Sequence, residues 1–173
     1  MMATRQGSTR RGMGGTPSRA LLLRALHEIY HGPAWHGSSL RLSLRGVSAA
    51  DAAWRPAPDR NSIWDVVLHL AYTRHIMLRR LGVKSARAFP HPLRSSWWPR
   101  LPDTLAEDTW RADLALLEEY QERLLAAVSA VPAARLATRR RGKVVSLGDE
   151  VLGVAHHDAY HTGQIQLLRR LMA

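Results

Sequence analysis

The chain contains two histidine pairs at i and i+4, HEIYH at residues 27–31 and HDAYH at residues 157–161. Side chains four apart on a helix stand one above the other, so either pair offers two imidazoles to one metal ion. The first pair also has the H-E-x-x-H spacing of a zinc-protease helix, whose glutamate works as a general base. With nine histidines in 173 residues, chance supplies about 0.5 such pairs, so spacing alone decides nothing. The surroundings of each pair must decide.

HEIYH lacks the surroundings of a protease. Gly32-Pro33 ends the helix directly after His31, and Ala34 and Gly37 stand where the longer form of the signature needs glycine and histidine. No glutamate follows Glu28 until Glu107, so a third ligand is missing nearby. His27 and His31 fall on the flank of the Leu22, Leu26, Ile29 stripe. We read the stretch as unconnected with peptidase chemistry.

HDAYH differs. His161 lies on the apolar stripe of its helix, and His157 lies one turn before it on the same side. Burying both with Asp158 is costly unless they are coordinated or hydrogen-bonded. A polar layer that fixes helix register explains the pair as well as a metal does. His69 shifts the balance, because it sits with Val66, Thr73 and Ile76 on the inward face of another long helix. Three neutral imidazoles from two helices leave a coordination position open, the pattern of a catalytic site rather than a structural one. His156 points about 100° away from His157 and is not a ligand in this reading.

The elements that must position these residues are helical, with no convincing alternating strand. The first helix begins near Pro17-Ser18, and AWHGSSLRLSLRGV (residues 34–47) is expected to resume its path after Gly32-Pro33. A short turn of helix follows at SAADAAW. The second long helix opens at Asn61-Ser62 with Asp65 as capping-box acid and stops at Gly82. The third opens with Thr104 and Glu107 as a capping box and runs Trp110, Leu114, Leu117, Gln121, Leu124, Val128 to Pro132. The fourth opens with Ser146 and Asp149 and runs Leu147, Val151, Val154, Asp158, His161, Ile165, Leu168, Met172. Four amphipathic helices with long connections make an all-α four-helix bundle, a fold that builds metal sites from core-facing side chains. The connection from Gly82 to Pro102, with Trp97-Trp98, is too long for bare loop and is expected to pack over the bundle mouth.

Composition narrows the chemistry. The chain has no cysteine, so there is no disulfide, thiolate ligand or cysteine nucleophile. A formal charge of +11 invites a nucleic-acid reading. Yet only Lys84 and Lys143 are lysines, and the arginines are scattered apart from Arg139-Arg140-Arg141. A solvated basic surface is the better reading, and a nucleic-acid-binding module is kept as a remote alternative. Residues 1–17 read as a disordered basic tail, and residues 18–173 as one domain. Arg10-Arg11 is not followed by the apolar segment of an export signal, and no window approaches the roughly 18 apolar residues of a membrane span. A cytoplasmic protein is expected.

The stretches GVAHHDAYHTGQIQLLRRL, SIWDVVLHLAY and GPAWHGSSL together resemble the DinB/YfiT-like superfamily of four-helix bundles, over residues from about 20 to 173. H-x-x-x-H-x-G-Q-I is the most specific element. The resemblance implies a divalent metal, zinc or nickel, on His69, His157 and His161. It also implies chemistry of the thiol S-transferase or thiol-dependent isomerase kind, with a low-molecular-weight thiol as co-reactant and a small molecule as substrate. Metal-dependent hydrolysis and a non-catalytic metal-holding bundle acting in dimer assembly or sensing remain open. A homodimer is expected. Asp158, as a partner for a ligand imidazole, and His36 and Tyr160, in the pocket wall, are the candidate catalytic groups. Trp35 and Trp97-Trp98 are candidates for apolar contact with an electrophile.

Overall fold

A computed structural model describes residues 15–83 and 88–172 of the chain. In chain order it holds α1 (Arg19–His31), α2 (Leu40–Leu44), α3 (Ala49–Ala53), α4 (Ile63–Leu81), β1 (Leu93–Ser95), β2 (Trp98–Pro99), α5 (Glu107–Ala130), α6 (Ala133–Leu136) and α7 (Leu147–Met172). Helices α1 and α4 each pack against both α5 and α7. They therefore occupy one diagonal of a four-helix bundle, with α5 and α7 on the other. Among the described residues, no helix is long and apolar enough to cross a membrane.

The ends of the long helices follow from local chemistry. Ser62 and Asp65 exchange side-chain and backbone hydrogen bonds at the start of α4, and Gly82 closes the helix with φ 88°, a conformation that costs glycine nothing. Ser146 and Asp149 make the same reciprocal pair at the start of α7. The box expected from Thr104 and Glu107 does not form. Helix α5 starts behind Ala106 with no side-chain cap, and the Glu107 carboxylate instead accepts the Ala49 N–H at 2.9 Å. A donor left open at the first turn of α3 is thus answered from another helix. The helix expected to resume over residues 34–47 shrinks to Leu40–Leu44, because a bridge between Ala34 and Gly37 turns the chain first. Of the tail expected over residues 1–17, residues 1–14, including Arg10-Arg11, lie outside the described residues. Thr16 and Pro17 lie against Gly148, where a Cβ would meet the Thr16 methyl at 2.9 Å.

The N-terminal half of α4 is buried on every side, from Ile63 to Ala71. Trp64 there packs against Trp110 of α5 with ring centroids 5.1 Å apart. Each indole N–H finds an acceptor as it is buried, Trp64 on Asp113 at 2.7 Å and Trp110 on the Val47 carbonyl at 2.8 Å. One turn beyond this apolar layer lies a polar one. Arg74 of α4 is fully buried and pairs with Asp158 of α7 at 2.5 Å. Its Nε donates to Gln121 of α5 at 2.9 Å, and Gln121 in turn donates to the Leu26 carbonyl of α1 at 3.0 Å. All four long helices are joined through this one guanidinium.

Residues 88–102 of the connection pack against the bundle, and they contain a small antiparallel hairpin, β1 with β2, which the sequence reading did not foresee. Strands of three and two residues are too short to show alternation. Three contacts fix the segment to the bundle. Phe89 sits between Tyr72 and Tyr120, His91 bonds Asp113 at 2.8 Å, and Arg94 reaches Asp65 at 3.4 Å.

Candidate metal centre

Helix α4 contributes His69, and α7 contributes His157 and His161. Their Nε2 atoms meet: His69 lies 2.9 Å and His161 3.1 Å from His157. These three can hold a metal ion, each offering one nitrogen within 4.8 Å of the others. His69 and His161 are buried and His157 is half-buried. His156 is exposed.

The outer nitrogens determine where the protons are. His69 Nδ1 donates to the Trp97 carbonyl at 2.7 Å, since a carbonyl can only accept. His161 Nδ1 donates to Gln164 Oε1 at 2.6 Å, while the Gln164 amide donates to the Tyr160 hydroxyl at 2.9 Å. Both rings therefore turn a bare Nε2 lone pair toward His157. A single proton on His157 Nε2 can answer only one of them, and His157 Nδ1 has no partner among the described residues. Lone pairs converging at about 3 Å repel unless a cation lies between them. A proton serves poorly, because desolvation first, and then the neighbouring histidines, lower His157 to about 3. His161 falls to about 4, again chiefly through burial, and burial also lowers His69. The imidazoles are thus neutral at pH 7, the form that binds metal. The donor set fits a divalent ion.

The hairpin positions His69. Trp98 stacks on its ring at 4.2 Å and 14°, and Trp97, whose carbonyl it bonds, has φ 73°. A tryptophan in the left-handed region is strained by roughly 1–3 kcal/mol. The strain occurs where a backbone acceptor is turned onto a candidate ligand. The arrangement supplies the outer partner that metal-binding histidines need.

A cavity of about 660 Å³ opens over the three histidines, walled by Trp97, Trp98, Met77, Tyr160 and Val154. Arg80 lies on its edge beside Glu150, which also holds Arg140 at 2.6 Å. Over residues 34–165 the chain matches the family model described as the DinB superfamily. The chain belongs to the DinB superfamily. No curated protein and no solved structure matches it. In this DinB-superfamily chain three positions of the H-x-x-x-H-x-G-Q-I stretch meet at the site. The two histidines converge, and the glutamine holds the second of them.

The other candidates fall elsewhere. Asp158 orients no ligand imidazole, because both its oxygens are taken by Arg74. A residue next in sequence to His157 projects about 100° around the helix, here into the core. His36 and Trp35 are exposed on the α1–α2 connection, away from the cavity. Tyr160 is 64% exposed and does line the cavity, in contact with Gln164. Sequence reasoning missed the Trp97 carbonyl and the Arg80–Glu150 pair, which carry no residue-spacing signal. HEIYH forms the last turns of α1, with His27 and Glu28 both exposed and Glu28 paired with Arg24 at 3.8 Å.

Gln164 offers a direct test of the outer shell. Gln164→Ala removes the acceptor from His161 Nδ1, and metal affinity at the three-histidine site is expected to fall about 10–100-fold. Calorimetric zinc titration of the metal-free protein measures it. Unchanged affinity would show that Gln164 does not support this ligand.

Proposed function

We propose that His69, His157 and His161 hold one divalent ion, zinc or nickel, and that the protein is a metal-dependent enzyme transferring a small thiol to an electrophilic compound. The observation that carries the reading is the convergence of three neutral imidazole nitrogens at the floor of an open cavity. When bound, the ion supplies Lewis acidity that lowers the pKa of a thiol toward neutrality. The chain has no cysteine, so the thiol must come from a second molecule. Trp97 and Trp98 give the cavity apolar wall for the electrophile, and Arg80 offers a charge to a carboxylate of the thiol. The Trp97 carbonyl and Gln164 hold His69 and His161 in the tautomer that leaves Nε2 free.

One observation favours transfer over hydrolysis. Glu150 is the one carboxylate among the described residues lining the cavity, and Arg140 and Arg80 already engage it. A general base for water is thus lacking. The test is a screen of bacillithiol, mycothiol, glutathione and simple thiols against chlorinated and epoxide acceptors. Turnover is expected with at least one pair and is expected to disappear on metal removal. Turnover absent with every pair, or equal without metal, would overturn the transferase reading.

A further inference from the structure

A second cavity, larger than the one at the three histidines, lies elsewhere on the described residues. A space of about 960 Å³ lies between α1, α2 and α5, and the two cavities share no lining residue. Its walls are apolar at Leu44, Trp110 and Leu114, with Arg41 and Arg45 along the α2 edge. At the opposite rim, His31, the last residue of α1, faces Glu118 and Glu122 of α5. Imidazole and carboxylates each present one ligand atom within 4.8 Å of the others.

We propose that His31, Glu118 and Glu122 form a second divalent-cation site, distinct from the three-histidine centre. Glu118 and Glu122 are one helical turn apart and so project together, and His31 enters from a separate rigid helix. Two hard oxygens and one imidazole suit zinc or manganese. His31 Nε2 lies 3.4 Å from Glu122 Oε1, and Tyr30 donates its hydroxyl to Glu118 Oε2 at 2.9 Å. The Tyr30 bond fixes one carboxylate and leaves its other oxygen available. His31 and Glu118 also line the cavity, so ligand positions left open by the protein lie on its side.

Charge distribution supports a cation here in a chain of net +11. Helix α5 carries Glu107, Asp108, Asp113, Glu118, Glu119 and Glu122 against Arg111 and Arg123. Six of the chain's 14 acids therefore lie on one helix, and three of them fall within the five residues around this cluster. The HEIYH stretch, excluded as a protease helix, thus gains a role for its second histidine only. His27 is exposed and stands outside the set.

The two sites differ in what they should bind and how tightly. The residues of the three-histidine site are the more buried, His69 and His161 fully and His157 in part, whereas His31 and Glu118 are half-buried and Glu122 is exposed. The second is therefore expected to be the weaker, and to fill only when metal is added. Calorimetric titration of zinc into the chelator-treated full chain should resolve two binding events. Glu118→Gln with Glu122→Gln should weaken the second at least 10-fold and leave the first unchanged. His69→Ala, His157→Ala and His161→Ala together should remove the first and leave the second. The glutamine changes are near-isosteric on the helix surface, and circular dichroism checks that both variants fold. Absence of the first event from the parent protein, or its survival in the triple-alanine variant, would count against the three-histidine reading and not against this one. A double glutamine variant that titrates like the parent would overturn the second site.

Discussion

Asp158→Ala is expected to destabilise the protein by about 3–5 kcal/mol, one of the largest effects of any single change outside the apolar core. The reason is what remains behind. A guanidinium carries its charge in proteins, and that of Arg74 is fully buried, with both its terminal nitrogens donating to Asp158. Removing the carboxylate leaves a guanidinium in the bundle centre with Gln121, the Leu70 carbonyl and the face of the Tyr30 ring as its remaining partners. Against a typical total stability of about 5–15 kcal/mol, that is a large share. At roughly 2–4 °C per kcal/mol for a chain of this size, the melting temperature should drop by about 6–20 °C. Replacing both residues by apolar ones, Arg74→Met with Asp158→Leu, should cost much less than the single change, because no unpaired charge is left. Thermal and urea unfolding of the metal-free protein give both numbers. A cost of less than about 1 kcal/mol for Asp158→Ala would show that the pair does not tie the helices.

The second large effect concerns metal content, and rests on the proposed three-histidine site. Protein purified without a histidine tag or added metal should carry close to one divalent ion per chain. His157→Ala and His161→Ala should each carry almost none. Removing one of three nitrogens leaves two ligands and a hole, and the chain has no thiolate to substitute. Removal also relieves the converging lone pairs, so these variants should fold without metal at least as well as the parent. Elemental analysis with a thermal melt reads both effects. A triple variant of His69, His157 and His161 that retained full metal would end the assignment.

Much of this was legible in the chain itself, wherever the signal was local. The helix ends at Ser62-Asp65, Gly82 and Ser146-Asp149 depend on residues within one turn of each other, and the structure has them as read. The convergence of His69 with His157 and His161 followed from facing, since His69 and His161 lay on inward faces and His157 one turn before His161 on the same side. Failures came where a partner was distant in sequence. Glu107 had the right spacing from Thr104 for a capping box, but the Ala49 N–H, 58 residues away, takes its carboxylate.

Asp158 shows the boundary most clearly. Its place on the core stripe was determined by the sequence, and with it the need for a partner, because a buried carboxylate cannot stay unpaired. Which partner it takes was decided by the tertiary structure. The sequence reading offered it a ligand imidazole. Packing of α4 against α7 instead brought Arg74, 84 residues away, into the bundle centre. The same holds for Trp97, whose carbonyl meets His69 where the side chains of Phe89, His91 and Arg94 hold residues 88–102 against the bundle. A backbone carbonyl is common to every residue and marks no position in a sequence. The sequence specified the candidate ligands and the helices that carry them; the Gln164 bond to His161 is local to α7, but the Trp97 carbonyl reaches His69 only when distant segments pack.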